Sequence, residues 1–281
     1  MTCLPEFMSW GNLAAIANSG FTTSLVGALA GAYAGAYAAQ KNTESNKVRM
    51  EFQDQIRNTN AAITLSFMVF NAAIELKGQQ TKELCDAYFK KKTELERFIE
   101  KGRTGDIPLD TSFEFQADLR IIPFPTVPID ALRSLLYEKL SVSARLLACV
   151  ATLDIALCSI DKTIATRDEF IASFKSNKDI SEGDRTALYF GLPYGQGRMD
   201  TVYLDSITGL QDLTNDTIFF SHMLCKDLET HGNKVLDKFK AQFKGVIEQI
   251  HAIELLPEKT AGLMPSQDRY LQWLSGFRER K

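Results

Sequence analysis

Polar and apolar residues follow different rules in different parts of this chain. From Phe21 to Ala39 the sequence FTTSLVGALAGAYAGAYAA contains no charge and shows no polar face. From Val48 onward the apolar residues keep largely to one side, at spacings of three, four and seven. They run through Phe52, Ile56, Ile63, Phe67, Phe70, Ile74, Leu84, Tyr88, Leu95 and Ile99, which is the period of an amphipathic helix. No proline lies between Pro5 and Pro108, so one helix is expected from the apolar segment to Gly102. A rod of that length is unstable alone, and other helices must cover it.

Lys101 to Pro128 breaks the pattern. GRTGDIPLD is turn-rich, Phe113-Glu114-Phe115 alternates as a short strand does, and Pro123, Pro125 and Pro128 forbid regular helix. A small hairpin or an irregular cap is expected there. Asp130 suits a helix start, and apolar periodicity resumes from Leu132 to Phe170, carrying a second helix to about Lys175 with a kink near Ser141 to Ser143. A second irregular stretch, Asn177 to Met199, encloses a short helix at Thr186 to Phe190. A third long helix is expected from Asp200 to Ile253, bent or interrupted at His231-Gly232-Asn233, and Pro257 stops it. Ser266 to Phe277 reads as a short terminal helix anchored by Trp273, before the basic end Arg278-Glu279-Arg280-Lys281.

The expected fold is therefore all-α: one N-terminal transmembrane helix continuing into a long, coiled-coil-like antiparallel bundle of about three helices with two irregular loops. In an up-down-up arrangement the 101–128 loop lies far from the membrane and the 177–199 loop returns to it. That return places Tyr189, Phe190, Leu192 and Tyr194, flanked by Lys178, Arg185 and Arg198, at a headgroup surface. The stronger expectation is an ordinary interhelical loop whose aromatics fold back on the bundle.

Charge placement supports the membrane expectation. Glu6 is the only charged residue before Lys41, whereas the rest of the chain is densely charged. Nineteen residues at about 1.5 Å rise span roughly 28 Å, close to a hydrocarbon core of about 30 Å. Tyr33, Tyr37 and Lys41 fall at the headgroup level, and Lys41, Lys47 and Arg49 put the following domain on the cytoplasmic side. This divides the chain into a short non-cytoplasmic tail (1–20), a transmembrane helix (21–40) and a cytoplasmic helical domain (41–281), single-pass in the inner membrane. Two other origins compete: a signal peptide cleaved near Ala36-Tyr37-Ala38, which lacks a basic n-region, and a buried soluble helix. The apolar run Ala61 to Ile74 is too short for a second pass and carries Asn71, so bundle core is expected. Gly27, Gly31 and Gly35 recur every four residues, with Thr23 and Ala39 extending the row, a stripe that lets helices approach closely in lipid. Self-association is expected from it, although it could also pack on another part of the same chain.

Little points to chemistry. Net charge is -3 and pI about 5.8, which excludes a nucleic-acid partner held by bulk charge. Cys3, Cys85, Cys149, Cys158 and Cys225 form no CxxC pair, as expected for buried thiols in a reducing compartment. His222 precedes Cys225 by three residues, but no further ligand stands at zinc spacing, so no metal and no cofactor are expected. GLPYGQGRMD (Gly191 to Asp200) is glycine-rich before a helix, yet follows no strand and lacks a lysine, so an interhelical turn is expected. Asn58, Asn60 and Asn71 are candidates for buried hydrogen bonds that set helix register, because an amide in an apolar bundle needs a partner.

The run RNTNAAITLSFMVFNAAIELKGQQ (Arg57 to Gln80), soon after a Gly/Ala membrane helix, resembles a group of uncharacterised bacterial single-pass membrane proteins over the first 85 residues. The resemblance implies the same topology and says nothing about activity. Two functional expectations follow. The first is a non-enzymatic membrane-anchored scaffold or sensor that contacts the bilayer, forms a homo-oligomer and docks a cytoplasmic protein partner. The second is a membrane-permeabilising effector of a defence or toxin system, in which Thr22, Thr23 and Ser24 would suit a wet lumen. A membrane-bound enzyme ranks third.

Overall fold

The computed structural model describes residues 20–277 apart from 109, 110, 178, 246, 255 and 256. The tail before Gly20, with Cys3 and Glu6, and the basic end after Phe277 lie outside the described residues. The chain is all-helical, and no strand forms among the described residues.

The uninterrupted helical periodicity produces an unusually long rod. Helix α1 (Gly20–Leu76) passes through one π-helical turn (Lys77–Thr81) into α2 (Lys82–Thr104). From Ser24 to Thr104 this rod holds 81 residues, about 120 Å of helix at 1.5 Å per residue. It stops where Gly105 takes a left-handed φ of 76° and turns its N–H onto the carbonyls of Gly102 and Lys101. A side chain in that conformation costs about 1–2 kcal/mol, so glycine is the natural terminator.

The chain beyond Gly105 returns along the rod without forming a hairpin. Phe113 packs beside Phe98 at 5.5 Å, Arg120 reaches Glu83 at 3.4 Å, and the Lys139 carbonyl accepts from Gln55 at 3.1 Å. The prolines keep helix from forming here, and the 18 residues from 111 to 128 can reach roughly 60 Å when extended. The expected short strand at Phe113 to Phe115 is absent; both phenylalanines pack inward on the aromatic core instead. Helix α3 (Ile129–Ser134) and a second π-helical turn (Leu135–Lys139) complete the return. The kink expected near Ser141 to Ser143 is a full break, after which the Ser143 hydroxyl accepts the Leu146 N–H and caps α4 (Ala144–Ser176).

After α5 (Glu182–Phe190), the long α6 (Val202–Gln242) lies against both α1 and α4. Cys225 meets the Ile63 carbonyl and Cys85 the Ile207 carbonyl, so α6 runs antiparallel to the rod. Arg145 meets Asp227 and Arg167 meets Tyr203, so α6 is also antiparallel to α4. The rod and α4 therefore share a direction, which departs from the expected up-down-up order. The cause is the long extended return, which resets the start of α4 to the level of Gln55. As a result the 177–199 loop sits at the α2 end. Tyr189 and Phe190 are buried there, with the Tyr88 hydroxyl donating to the Tyr189 carbonyl at 3.2 Å; the aromatics fold back on the helices.

Helix α6 continues without interruption through His231-Gly232-Asn233, where a bend or break was expected. Gly232 serves close approach instead: a Cβ there would lie 2.7 Å from Ile250 Cδ1 and 2.9 Å from Thr59 Cγ2. The helix ends at Gln242, short of the expected Ile253, and a non-helical stretch crosses back over α1. The chain closes with α7 (Pro257–Thr260), a 3-10 turn (Gln267–Tyr270) and α8 (Leu271–Ser275). Tyr270 stacks on Phe219 at 3.7 Å and Trp273 packs on Phe220 at 5.0 Å, anchoring this end on α6.

By length and composition the rod is the one described helix long and apolar enough to cross a membrane, and its most apolar stretch is 56% buried. Every residue from 24 to 48 is exposed, so that stretch lies further along. Residues 59–76 fit it: ten of those eighteen are buried, among them Ala62, Ile63, Val69 and Phe70. The Ala61 to Ile74 run is thus core of the helical body.

Candidate functional site

The first part of α1 is a stalk. Residues 24–48 are all exposed, and 25 residues of helix extend about 37 Å. The large side chains Leu25, Val26, Leu29, Tyr33 and Tyr37 are uncovered, with Leu29 62% and Tyr33 76% exposed. A Cβ added at Gly27, Gly31 or Gly35 would meet nothing within 4 Å. Neither a buried soluble helix nor packing of the glycine row on another described part of the chain accounts for this segment. The body takes hold only around Phe52, whose ring lies 6.2 Å from Phe239 and from Phe243, and at fully buried Ile56. Lys41 sits on the exposed stalk, where Gln40 bonds Glu44 at 3.0 Å and Thr43 bonds the Ala39 carbonyl at 2.9 Å. An apolar surface of this continuity is unusual on a soluble monomer, and surfaces of this kind commonly serve contact with lipid or protein.

The three asparagines separate. Asn60 is buried and holds a neighbouring segment: its Nδ2 donates to the Gln249 carbonyl at 2.9 Å and its Oδ1 accepts the His251 N–H at 3.0 Å. Asn58 is half-buried, and Asn71 is exposed on the outer face of the rod, where water can serve its amide.

A buried polar cluster at the α2 end went unseen in the sequence. Arg167 of α4 is 0% exposed. Its guanidinium donates to the carbonyls of Arg120 (2.7 Å) and Asp118 (3.3 Å) and to the Tyr203 hydroxyl (3.3 Å). Tyr203 in turn donates to the Asp118 carbonyl at 2.6 Å, and the Asp118 N–H donates to the Tyr189 hydroxyl at 3.2 Å. Burial pulls the Asp118 carboxyl upward, but the hydrogen bonds and charge of Arg120 outweigh it and hold the group below the usual range. The arrangement satisfies backbone groups of a segment that has no secondary structure of its own, which is the requirement for burying irregular chain. A lone arginine at position 167 carries no sequence signal for this; only the return of 113–122 along the rod supplies its acceptors.

Other titratable groups are similarly engaged. The Lys77 amine, at the π-helical turn, donates to Asn215 Oδ1 at 2.6 Å and to the Leu263 carbonyl at 2.7 Å, and burial lowers its pKa. His222 lies beside Phe70 at 5.8 Å; burial, then Lys226, lowers its pKa. Cys85 and Cys225 are pushed up to about 12, mainly by burial. In the Gly191 to Asp200 turn the Gly195 N–H donates to the Asp184 carboxylate at 3.0 Å, placing an acid where a phosphate cradle would need none. Among the described residues no group of three or more His, Cys, Asp or Glu is arranged to hold a metal. No protein-family model, curated protein or solved structure matches this chain.

Proposed function

We propose that the chain is a non-enzymatic, single-pass membrane-anchored scaffold or sensor, self-associating through its stalk and docking a cytoplasmic partner on its helical body. One observation carries this reading: residues 24–40 are uncharged, apolar and exposed, while the body begins its own packing only at Phe52. Leaving that surface in water is unfavourable by about 25 cal/mol per Å² of apolar area, which lipid relieves. Lys41, Lys47 and Arg49 favour a cytoplasmic body. Tyr33 and Tyr37 then approach the headgroups, and the open face of Gly27, Gly31 and Gly35 is free for a second copy. The long helices behind the stalk form the bundle that presents the partner surface.

The uncovered glycine row also favours a second reading, a pore-forming effector, because a helix open on every side and poor in leucine can associate with several neighbours. Flotation tests the common premise. The full chain is expected to float with membranes and to resist alkaline carbonate extraction. Leu25→Lys, Val26→Lys and Leu29→Lys together should release it, each lysine costing about 2.5–3.5 kcal/mol near the bilayer centre. A wild-type chain recovered in the soluble fraction would refute both membrane readings.

A further inference from the structure

The stretch that follows α6 is held by side chains reaching its backbone. Asn60, 3% exposed, takes the carbonyl of Gln249 and the N–H of His251, and Lys226 donates to the Ile253 carbonyl at 3.3 Å. An amide that bonds one residue's carbonyl and the N–H two residues on suits an extended peptide, whose alternate residues turn their polar groups to one side. Between those two bonds Ile250 enters the notch at Gly232, its Cδ1 2.7 Å from where a Cβ would stand, with Thr59 forming the wall. Fixed recognition of backbone plus one shaped seat for a side chain are the components of a peptide-binding groove.

We propose that the groove between α1 and α6 at Asn60 and Gly232 is a binding site for an extended peptide bearing a branched aliphatic residue, occupied in cis by the chain's own residues 247–253. The segment supplies the isoleucine, the register and the backbone groups that the groove reads. Tethering keeps it at an effective concentration on the order of millimolar, so a competing peptide enters only by displacing it. This site is separate from the stalk and does not depend on the membrane reading.

A fluorescent peptide of residues 243–254, titrated into the detergent-solubilised full chain, tests the proposal. Wild type should bind it at least tenfold more weakly than Ile250→Asp, which evicts the tethered segment. Adding Asn60→Ala to that variant should weaken binding about tenfold or more, since two hydrogen bonds are lost. No saturable binding to an Ile250→Asp chain of unchanged helicity overturns the proposal, as does binding that Asn60→Ala leaves unaltered. Should Ile250→Asp lose helicity, hydrogen exchange of wild type decides. The His251 amide is expected to exchange at least tenfold faster than those of Leu224 and Leu228, because the segment opens alone; equal rates mean it is an inseparable part of the body and overturn the proposal.

Discussion

Removing Arg167 probes how the irregular 111–128 segment is held. In Arg167→Ala the Arg120 carbonyl loses a charged donor at 2.7 Å, while the Asp118 carbonyl keeps the Tyr203 hydroxyl at 2.6 Å. A hydrogen bond to a charged group contributes about 1.5–3 kcal/mol. The missing side chain also leaves a cavity among Tyr203, Phe170 and their neighbours, so the expected loss is about 3–5 kcal/mol. For a body of this size that lowers the melting temperature by roughly 6–20 °C. Arg167→Met keeps most of the volume and removes the cost of burying a charge, so it should lose about 2 kcal/mol less than the alanine variant. Thermal melts followed by circular dichroism read the ranking. Limited trypsin digestion reads its location, because Arg120 is held by Asp118 and Glu83 and should become a cleavage site in Arg167→Ala. A melting temperature within 2 °C of wild type, with Arg120 still protected, would refute the view that Arg167 pins this segment.

Three further outcomes are expected. Gly232→Val should destabilise the chain by about 1–3 kcal/mol in thermal melts, overpacking against Thr59 exceeding the gain in helix propensity; an unchanged or raised melting temperature would contradict the close approach. At pH 8 a maleimide should label Cys158 promptly among the four described cysteines, because Cys85, Cys149 and Cys225 are buried with raised pKa values; prompt labelling of Cys149 in the folded chain would count against this. His222 and His231 have folded pKa values lowered mainly by burial. Depressed folded values mean their contribution is full above the ordinary 6.5 and is lost as pH falls through the lowered values. Stability should drop as pH falls below about 6.5, and the double variant His222→Gln, His231→Gln should flatten that drop in melts across the range; parallel curves would show that other groups cause it.

Elements whose residues repeat locally were legible in the sequence. The rod follows from unbroken periodicity and the absence of proline, whereas the Ser141 to Ser143 stretch suggested only a kink where the Ser143 cap in fact starts a new helix. Chain direction was not legible, because it depends on where residues 105–128 travel, and prolines and glycines say only that this path is not helical. Gly232 shows the same limit: beside His231 and Asn233 it suggests a bend, but its actual use is contact with Ile250, eighteen residues on and across a turn. Asn60 was named as a buried register residue, yet its partners are backbone groups of a stretch expected to be helix. The stalk was the most legible candidate, since lack of charge and lack of a polar face are properties of the segment itself.

The most direct measurement is the native mass of the detergent-solubilised full chain beside a Gly27→Leu, Gly31→Leu, Gly35→Leu triple variant. All three positions open to space, so the substitutions leave the body undisturbed and block only close approach of a second helix. A defined oligomer that falls to monomer in the variant is the expected result. A wild-type monomer, or an oligomer that the three leucines leave intact, would contradict self-association through the stalk.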